Sequence, residues 1–362
     1  MVDWKNPPRL FIPGPVMVKE DVLQQLARPT LGHRGKEYAQ LHGETVEMLK
    51  KVLFTNQNVF LSTSSASGIW EASIRNCVGF DETVLCTGCG AFSDKWADVA
   101  RSCGRNVEEL KVDWGKPITA EMIDEKLASG KYTAVTLVYN ETSTGLTNPV
   151  YQISEMMKEK YPDVLVFVDS VSAMVGLPLH FDDLAWDVTF ASVQKAFAIP
   201  PGLAVALVSN RALEKSKNVP NRGYYFDFQQ FAKSAEKNQT PTTPNIPHIM
   251  AVHYQCQKLL KEGMENVWQR HKKMGEFVRT WAKGKFDLFC EEKYASNTLT
   301  TVKNTRGITV ADVIKAVQQK HNTAFGNGYG KLKEQTFRIA HMGDITLDDL
   351  KELLAWIDEE IA

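Results

Sequence analysis

The chain has 362 residues, 43% of them hydrophobic and 23% charged, with 42 Lys and Arg against 43 Asp and Glu. That length predicts roughly two domains with a sizeable core, and that apolar content excludes long disorder. A formal net charge of -1 argues against nucleic-acid binding through bulk basic charge.

The opening stretch, Met1-Val-Asp-Trp-Lys-Asn-Pro-Pro, has no apolar segment of signal-peptide type. Residues 37–54 repeat apolar positions at Leu41, Val46, Leu49, Val52 and Leu53, a helical spacing. Residues 59–61 form a short apolar run, 69–77 a helix, 83–86 a strand and 92–102 a helix. A helix at 121–127, a β-branched strand at 133–139 and a helix at 151–160 follow. The runs at 164–168, 188–191 and 203–208 have the size of buried strands and are too short to span a bilayer. Strands alternating with helices predict a mostly parallel sheet covered on both faces. Residues 218–247, rich in Pro, Asn, Gln and aromatics, predict a long irregular connection. Residues 249–281 read as one long helix. The end reads as α+β: strands at 299–302 and 337–340, and helices at 310–319 and 348–361. Thr346-Leu-Asp-Asp349 opens the last helix as a capping box would. The domain boundary falls near residue 250, giving a large domain over 1–250 and a small one over 251–362. Six cysteines without a secretion signal read as reduced thiols in a cytoplasmic protein.

Several motifs lead nowhere. Cys86-Thr-Gly-Cys89 lacks the second ligand pair that zinc requires, so no metal is expected. Gly326-Asn-Gly-Tyr-Gly-Lys331 lacks the spacing of a phosphate loop and has Leu332 where a hydroxyl is needed. It reads as a mobile glycine loop. His42, His180 and His271 carry no signature.

Three features carry chemistry. Ser62-Thr-Ser-Ser-Ala-Ser-Gly68 joins a strand to a helix, and small hydroxyl residues there suit an anion at the helix N-terminus. Asp169 ends an apolar strand, where open α/β sheets place their ligands. Lys195 follows the next strand beside Val193 and Ala196, where desolvation would lower its pKa and favour Schiff-base chemistry. Taken alone, the serine turn and the lysine read more readily as a cap or loop and a surface lysine, and Asp169 reads evenly as a helix cap. Together they supply a phosphate cup, a carboxylate for a ring nitrogen and an amine for an aldehyde, which is the donor set of a pyridoxal 5'-phosphate site.

With these residues in view, the chain resembles the class V branch of fold-type I pyridoxal phosphate enzymes. More narrowly, it is similar to the alanine–glyoxylate, serine–pyruvate and serine–glyoxylate aminotransferases. The likeness runs through Pro13-Gly-Pro15, Gly32-His-Arg34, the Ser-rich cup with Glu71-Ala72, Asn140-Glu-Thr-Ser-Thr-Gly145 and Val168-Asp-Ser-Val-Ser172. It continues in Ser192-Val-Gln-Lys195, Pro200-Pro-Gly202, Gly328-Tyr-Gly-Lys331 and Phe337-Arg-Ile-Ala-His-Met-Gly343. The resemblance implies an α/β fold whose large domain holds a mostly parallel seven-stranded sheet, with a smaller C-terminal α+β domain.

It also implies roles. Lys195 would bind pyridoxal 5'-phosphate as a Schiff base and carry the proton, and Asp169 would pair with the ring nitrogen. Phe92 would stack on the ring, Thr142 would bond near its hydroxyl, and Ser65, Ala66, Ser67 and Gln194 would hold the phosphate. Thr243, with Thr240 as a weaker candidate, would come from the partner subunit of a homodimer. Arg338 would clamp the substrate carboxylate, and Gly14 would line the substrate pocket. Ala66 and Ala340 stand where glycine is usual in the family, and residues 221–236 have no aligned counterpart. The expected reaction moves an amino group from alanine or serine to a 2-oxo acid, glyoxylate or pyruvate, in ping-pong half-reactions. Phosphoserine or aspartate as donor is the alternative within transaminases. A cysteine desulfurase or kynureninase-like lyase is another, and a desulfurase would need Cys290 as its nucleophile. A catalytically silent subunit is disfavoured by the intact Lys195, Asp169 and Arg338.

Overall fold

The computed structural model describes residues 6–362. Residues 1–5, part of the stretch read for a targeting segment, lie outside it. Seven strands form the main sheet. Across it they run Asn58–Ser62, Ala204–Val208, Val188–Ser192, Leu165–Asp169, Tyr132–Val138, Thr83–Gly88 and Asn106–Lys111. Ala204–Val208 is antiparallel to both neighbours, and the other pairings are parallel. The other six strands therefore end along one edge, which brings Ser62, Ser192, Asp169, Val138 and Gly88 together.

The sheet is buried on both faces because its strands are apolar on both. Val166 and Val168 pack into one core with Val59, Leu61, Val205 and Leu207. Leu165 and Phe167 point the other way, into a core with Phe60, Trp70, Trp96 and Phe190. Alternate side chains of a strand face opposite sides, so a run without polar positions needs two covering layers. The edge strand Asn106–Lys111, with the sequence Asn-Val-Glu-Glu-Leu-Lys, has no such run and was absent from the sequence-based element list.

A second sheet takes the order Arg9–Phe11, Thr323–Asn327, Thr336–Ala340, Leu299–Lys303, Asp287–Leu288. Its first strand comes from the N-terminal segment and pairs in parallel with Thr323–Phe325. Arg9–Phe11, placed by the sequence reading in the large domain, thus belongs to the second sheet. Phe11, Phe325, Phe337 and Ile339 share a core with Val278, Leu350, Leu353 and Ile357 from the flanking helices.

Three expectations about elements change. The long helix is two, Ile246–Glu262 and Met264–Lys285, separated by Gly263 at φ 84. The irregular connection contains the helix Phe228–Ala235, capped by the Asp227 carboxylate accepting from Gln229 N at 2.9 Å. The glycine loop at 326–331 is tied down rather than free: Gly328 N–H donates to Thr336 O at 2.8 Å, and Asn327 Oδ1 accepts from Glu334 N–H at 3.0 Å. The capping box at Thr346 is present, with both reciprocal bonds to Asp349. No helix among the described residues is long and apolar enough to cross a membrane. The six cysteines are unpaired.

The two domains meet at Gly145. Its carbonyl accepts from Ser296 N–H at 2.9 Å, and a Cβ there would lie 2.9 Å from Thr301 N and 2.8 Å from Thr301 Oγ1. Its φ of 68 is also one that side chains resist. Gly145→Ala should therefore cost about 1–3 kcal/mol of stability, read as a lower urea midpoint. An unchanged midpoint would show that the junction yields freely.

Candidate active site

The strand ends of the main sheet line a cavity of about 150 Å³. Ser65, Ala66, Ser67, Phe92, Thr142, Asp169, Gln194 and Lys195, all expected from the sequence, line it. So do Trp70, Asn140 and Ser192, which were not expected.

The cup forms where Asn58–Ser62 gives way to the helix Ala66–Cys77. Ser65 occupies the N-cap with extended backbone, yet its side chain makes no capping bond. The helix opening is thereby left available to an anion. Ala66 N–H donates to Ser192 Oγ at 2.6 Å, tying the cup to the strand that precedes Lys195. Gly68 leaves room for Phe226, since a Cβ would lie 2.6 Å from its ring. Gln194 Oε1 is buried with no hydrogen-bond partner, an unfilled polar valence in the wall.

Asp169 is 3% exposed. Its Oδ2 accepts from Trp70 Nε1 at 2.8 Å and its Oδ1 from Val171 N–H at 2.8 Å. Burial pushes the carboxyl up to about 7, against the pull of those two bonds. Such a group is held ready for a cation or for a donor proton. Trp70 was missed, although it lies one helical turn beyond Ala66 and Ser67 and so shares their face.

Lys195 is half-buried and donates to the carbonyl of Pro13. Burial, with the Arg338 charge adding, pulls its pKa down to about 8. Gly14, at φ 106, presses against it: a Cβ there would lie 2.7 Å from Lys195 Nζ. Val16 N–H then donates to Gln194 O at 3.1 Å, so the N-terminal segment is pinned over the lysine.

Phe92 opens the helix Ala91–Ser102. A second buried carboxylate, Glu141, holds that helix end: it accepts from Ser93 N–H at 3.0 Å and from Ser143 Oγ at 2.6 Å. Glu141 was read only as part of a motif, because nothing in sequence shows that it reaches a distant helix. Thr142 Oγ1 lies 2.6 Å from Ser172 Oγ.

Arg338 comes from the small domain, in Thr336–Ala340 opposite Thr301. Its Nε donates to Asn327 O at 3.0 Å. Burial pulls it down to about 10, which leaves it charged at neutral pH. Neither Gly14 nor Arg338 is in the cavity lining, although Gly14 abuts Lys195 and the Arg338 charge acts on it. Two further expected residues lie elsewhere. Thr243 is exposed, and Thr240 is buried beneath Arg34, which donates to its carbonyl at 2.8 Å. Neither lines the cavity of its own chain. Cys290 does not lie in a strand. It occupies a bend after Asp287–Leu288, is 7% exposed, and donates to Gly145 O at 3.4 Å. Burial pushes its thiol up to about 11, unlike a mobile nucleophile.

The family described as aminotransferase class-V matches residues 20–329. The chain belongs to the class V aminotransferase family. An uncharacterized aminotransferase of Methanocaldococcus jannaschii is 36% identical over 92% of this chain and 87% of its own length. A serine–glyoxylate aminotransferase of Methylorubrum extorquens is 31% identical over 93% and 86%. The crystal structure of an alanine–glyoxylate aminotransferase from Nostoc superposes with a TM-score of 0.93 at 26% identity, covering 98% of this chain and 96% of that one. The fold is therefore the fold-type I architecture, and the protein is a class V aminotransferase. The family match contains the cup, Asp169 and Lys195, and stops before Arg338.

A lysine near pKa 8 reacts with aldehydes at a pH where ordinary lysines are protonated. Reductive methylation with limiting formaldehyde at pH 7.5 should modify Lys195 ahead of the surface lysines. Its rate should rise about tenfold per unit below pH 8 and flatten above it. Peptide mapping that finds Lys195 among the slowest would contradict the assigned environment.

Proposed function

We propose that the protein is a pyridoxal 5'-phosphate-dependent transaminase that moves the amino group of alanine or serine to glyoxylate or pyruvate. The observation that carries this reading is the meeting of Asp169, Lys195 and the serine cup at one sheet edge, with the Arg338 guanidinium on the facing domain. The names of the serine–glyoxylate and alanine–glyoxylate relatives support the substrate pair.

The donor set fits the cofactor. Ser65, Ala66 and Ser67 would hold its phosphate at a helix end that lacks a side-chain cap, with Gln194 beside them. Phe92 would cover the ring, and Thr142 would bond at its hydroxyl. Asp169 suits a protonated ring nitrogen because it is a buried carboxylate with two neutral donors and no salt bridge among the described residues. Bound there, pyridoxal 5'-phosphate supplies an electron sink and a carrier for the amino group.

The chain's own residues do the rest. Asp169 would keep the ring nitrogen protonated, which a neutral amide could not do. Lys195 Nζ, largely unprotonated above about pH 8, would take the proton from the substrate Cα and deliver it to C4′ of the cofactor. Arg338 binds the α-carboxylate through the nitrogens that Asn327 leaves free, and a guanidinium fork matches that group. Gly14 and Pro13 cover Lys195 from the N-terminal side. Thr243, exposed on its own chain, is assigned to the phosphate of a partner subunit in a shared-site homodimer, and Thr240 stands behind it.

A panel of amino donors against glyoxylate and pyruvate tests the reading. Alanine or serine should give the highest kcat/KM. Arg338→Lys keeps the charge and loses the fork, and should reduce kcat/KM in both half-reactions by roughly 30-fold or more. Release of sulfide from cysteine without any transamination, or a loss under about threefold in Arg338→Lys, would overturn it.

A further inference from the structure

The loop between Thr323–Asn327 and Thr336–Ala340 has a use that its glycines conceal. A Cβ on Gly328 would collide with Leu332 O, and Gly330 has φ 56, so the chain turns tightly on either side of Tyr329. Tyr329 is thereby projected from the small domain onto the large one. Its ring centroid lies 5.1 Å from that of Phe92. The Arg338 guanidinium carbon lies 5.4 Å from the same ring. At the far end the phenol oxygen accepts from Lys95 Nζ at 3.3 Å. The next residue but one repeats the attachment: Lys331 Nζ lies 4.2 Å from the Trp114 ring, and Trp114 Nε1 donates to Asp94 at 3.0 Å.

The one aromatic ring thus touches both the residue assigned to the substrate carboxylate and the residue assigned to the ring of the cofactor. A cation is attracted to a ring face at this distance. Arg338 donates to protein only through Nε among the described residues, so its remaining direction is set by what it leans on.

We propose that Tyr329 is a specificity-determining residue of the transaminase site. It positions Arg338 for the carboxylate and takes up the space beside Phe92 that a bulky substrate side chain would need. This rests on the transaminase reading above. The ring is what matters, and the hydroxyl serves to moor it to Lys95.

The test reads binding rather than turnover. Holoenzyme is titrated with two unreactive carboxylates, propionate and 3-phenylpropionate, by calorimetry. Tyr329→Phe keeps the ring and should hold both Kd values within about twofold of wild type. Tyr329→Ala should weaken propionate by about threefold to tenfold. It should also shift the ratio of the two Kd values toward 3-phenylpropionate by about tenfold or more. Tyr329→Leu fills part of the space and should fall between, and it stands in should the alanine variant fail to fold. A ratio within twofold of wild type in the alanine or leucine variant overturns the proposal, as does a phenylalanine variant that behaves like alanine. Alanine–glyoxylate turnover by the wild type is followed in parallel. Its absence together with a shifted ratio removes the substrate pair alone, whereas its presence with an unchanged ratio removes the role of Tyr329 alone.

Discussion

A carboxylate buried at the end of a central strand, with no salt-bridge partner among the described residues, is the constraint around which this molecule is arranged. Asp169 is held by an indole N–H and a backbone N–H, both neutral. Burial outweighs those two bonds and pushes its pKa up to about 7. Because its folded pKa lies above the unfolded value, its ionisation works against the fold as pH rises from about 4 to 7. A protonated ring nitrogen brought against it would reverse that cost. The site therefore carries an electrostatic need that a cation against Asp169 would meet.

The rest of the architecture keeps the answering groups in reach. Parallel pairing puts the ends of adjacent strands together, which places Ser192 and the following Lys195 beside Asp169. Glu141 fixes the helix that presents Phe92, and Ser192 fixes the helix that presents the cup. The small domain then closes over the edge. Its contribution is not only Arg338 but also Tyr329, Gly145's partner strand and the N-terminal segment that crosses Lys195. The two buried carboxylates differ: Glu141 accepts from backbone and hydroxyl donors of Ser93 and Ser143, whereas Asp169 accepts from one indole and one backbone N–H.

Much of this was legible in the sequence, for definite reasons. Apolar strands at regular intervals announce a sheet buried on both faces, and hydroxyl, carboxylate and amine at strand ends announce the site. Those signals are local. What the sequence concealed was non-local or disguised. Trp70 looks like any core aromatic until its N–H is seen against Asp169. Arg9–Phe11 is too short to declare itself and pairs with a strand more than 300 residues later in the chain. Asn106–Lys111 is a charged edge strand without alternation. The glycines at 328 and 330 suggest mobility, yet they serve a close backbone approach and a positive φ, and the loop they form is bonded on both sides. Gly263 interrupts what periodicity reads as one helix, because a single residue at φ 84 barely disturbs the apolar spacing on either side.

The most direct measurement of the central claim is the single-turnover rate of the amino-donor half-reaction in Asp169→Asn, with cofactor content determined on the same sample. The amide keeps the shape and loses the charge. The account predicts that cofactor stays bound through the cup and Lys195 while the rate falls by about 10²–10³-fold. A rate within a fewfold of wild type at full cofactor content would mean that the buried carboxylate is not what the chemistry depends on.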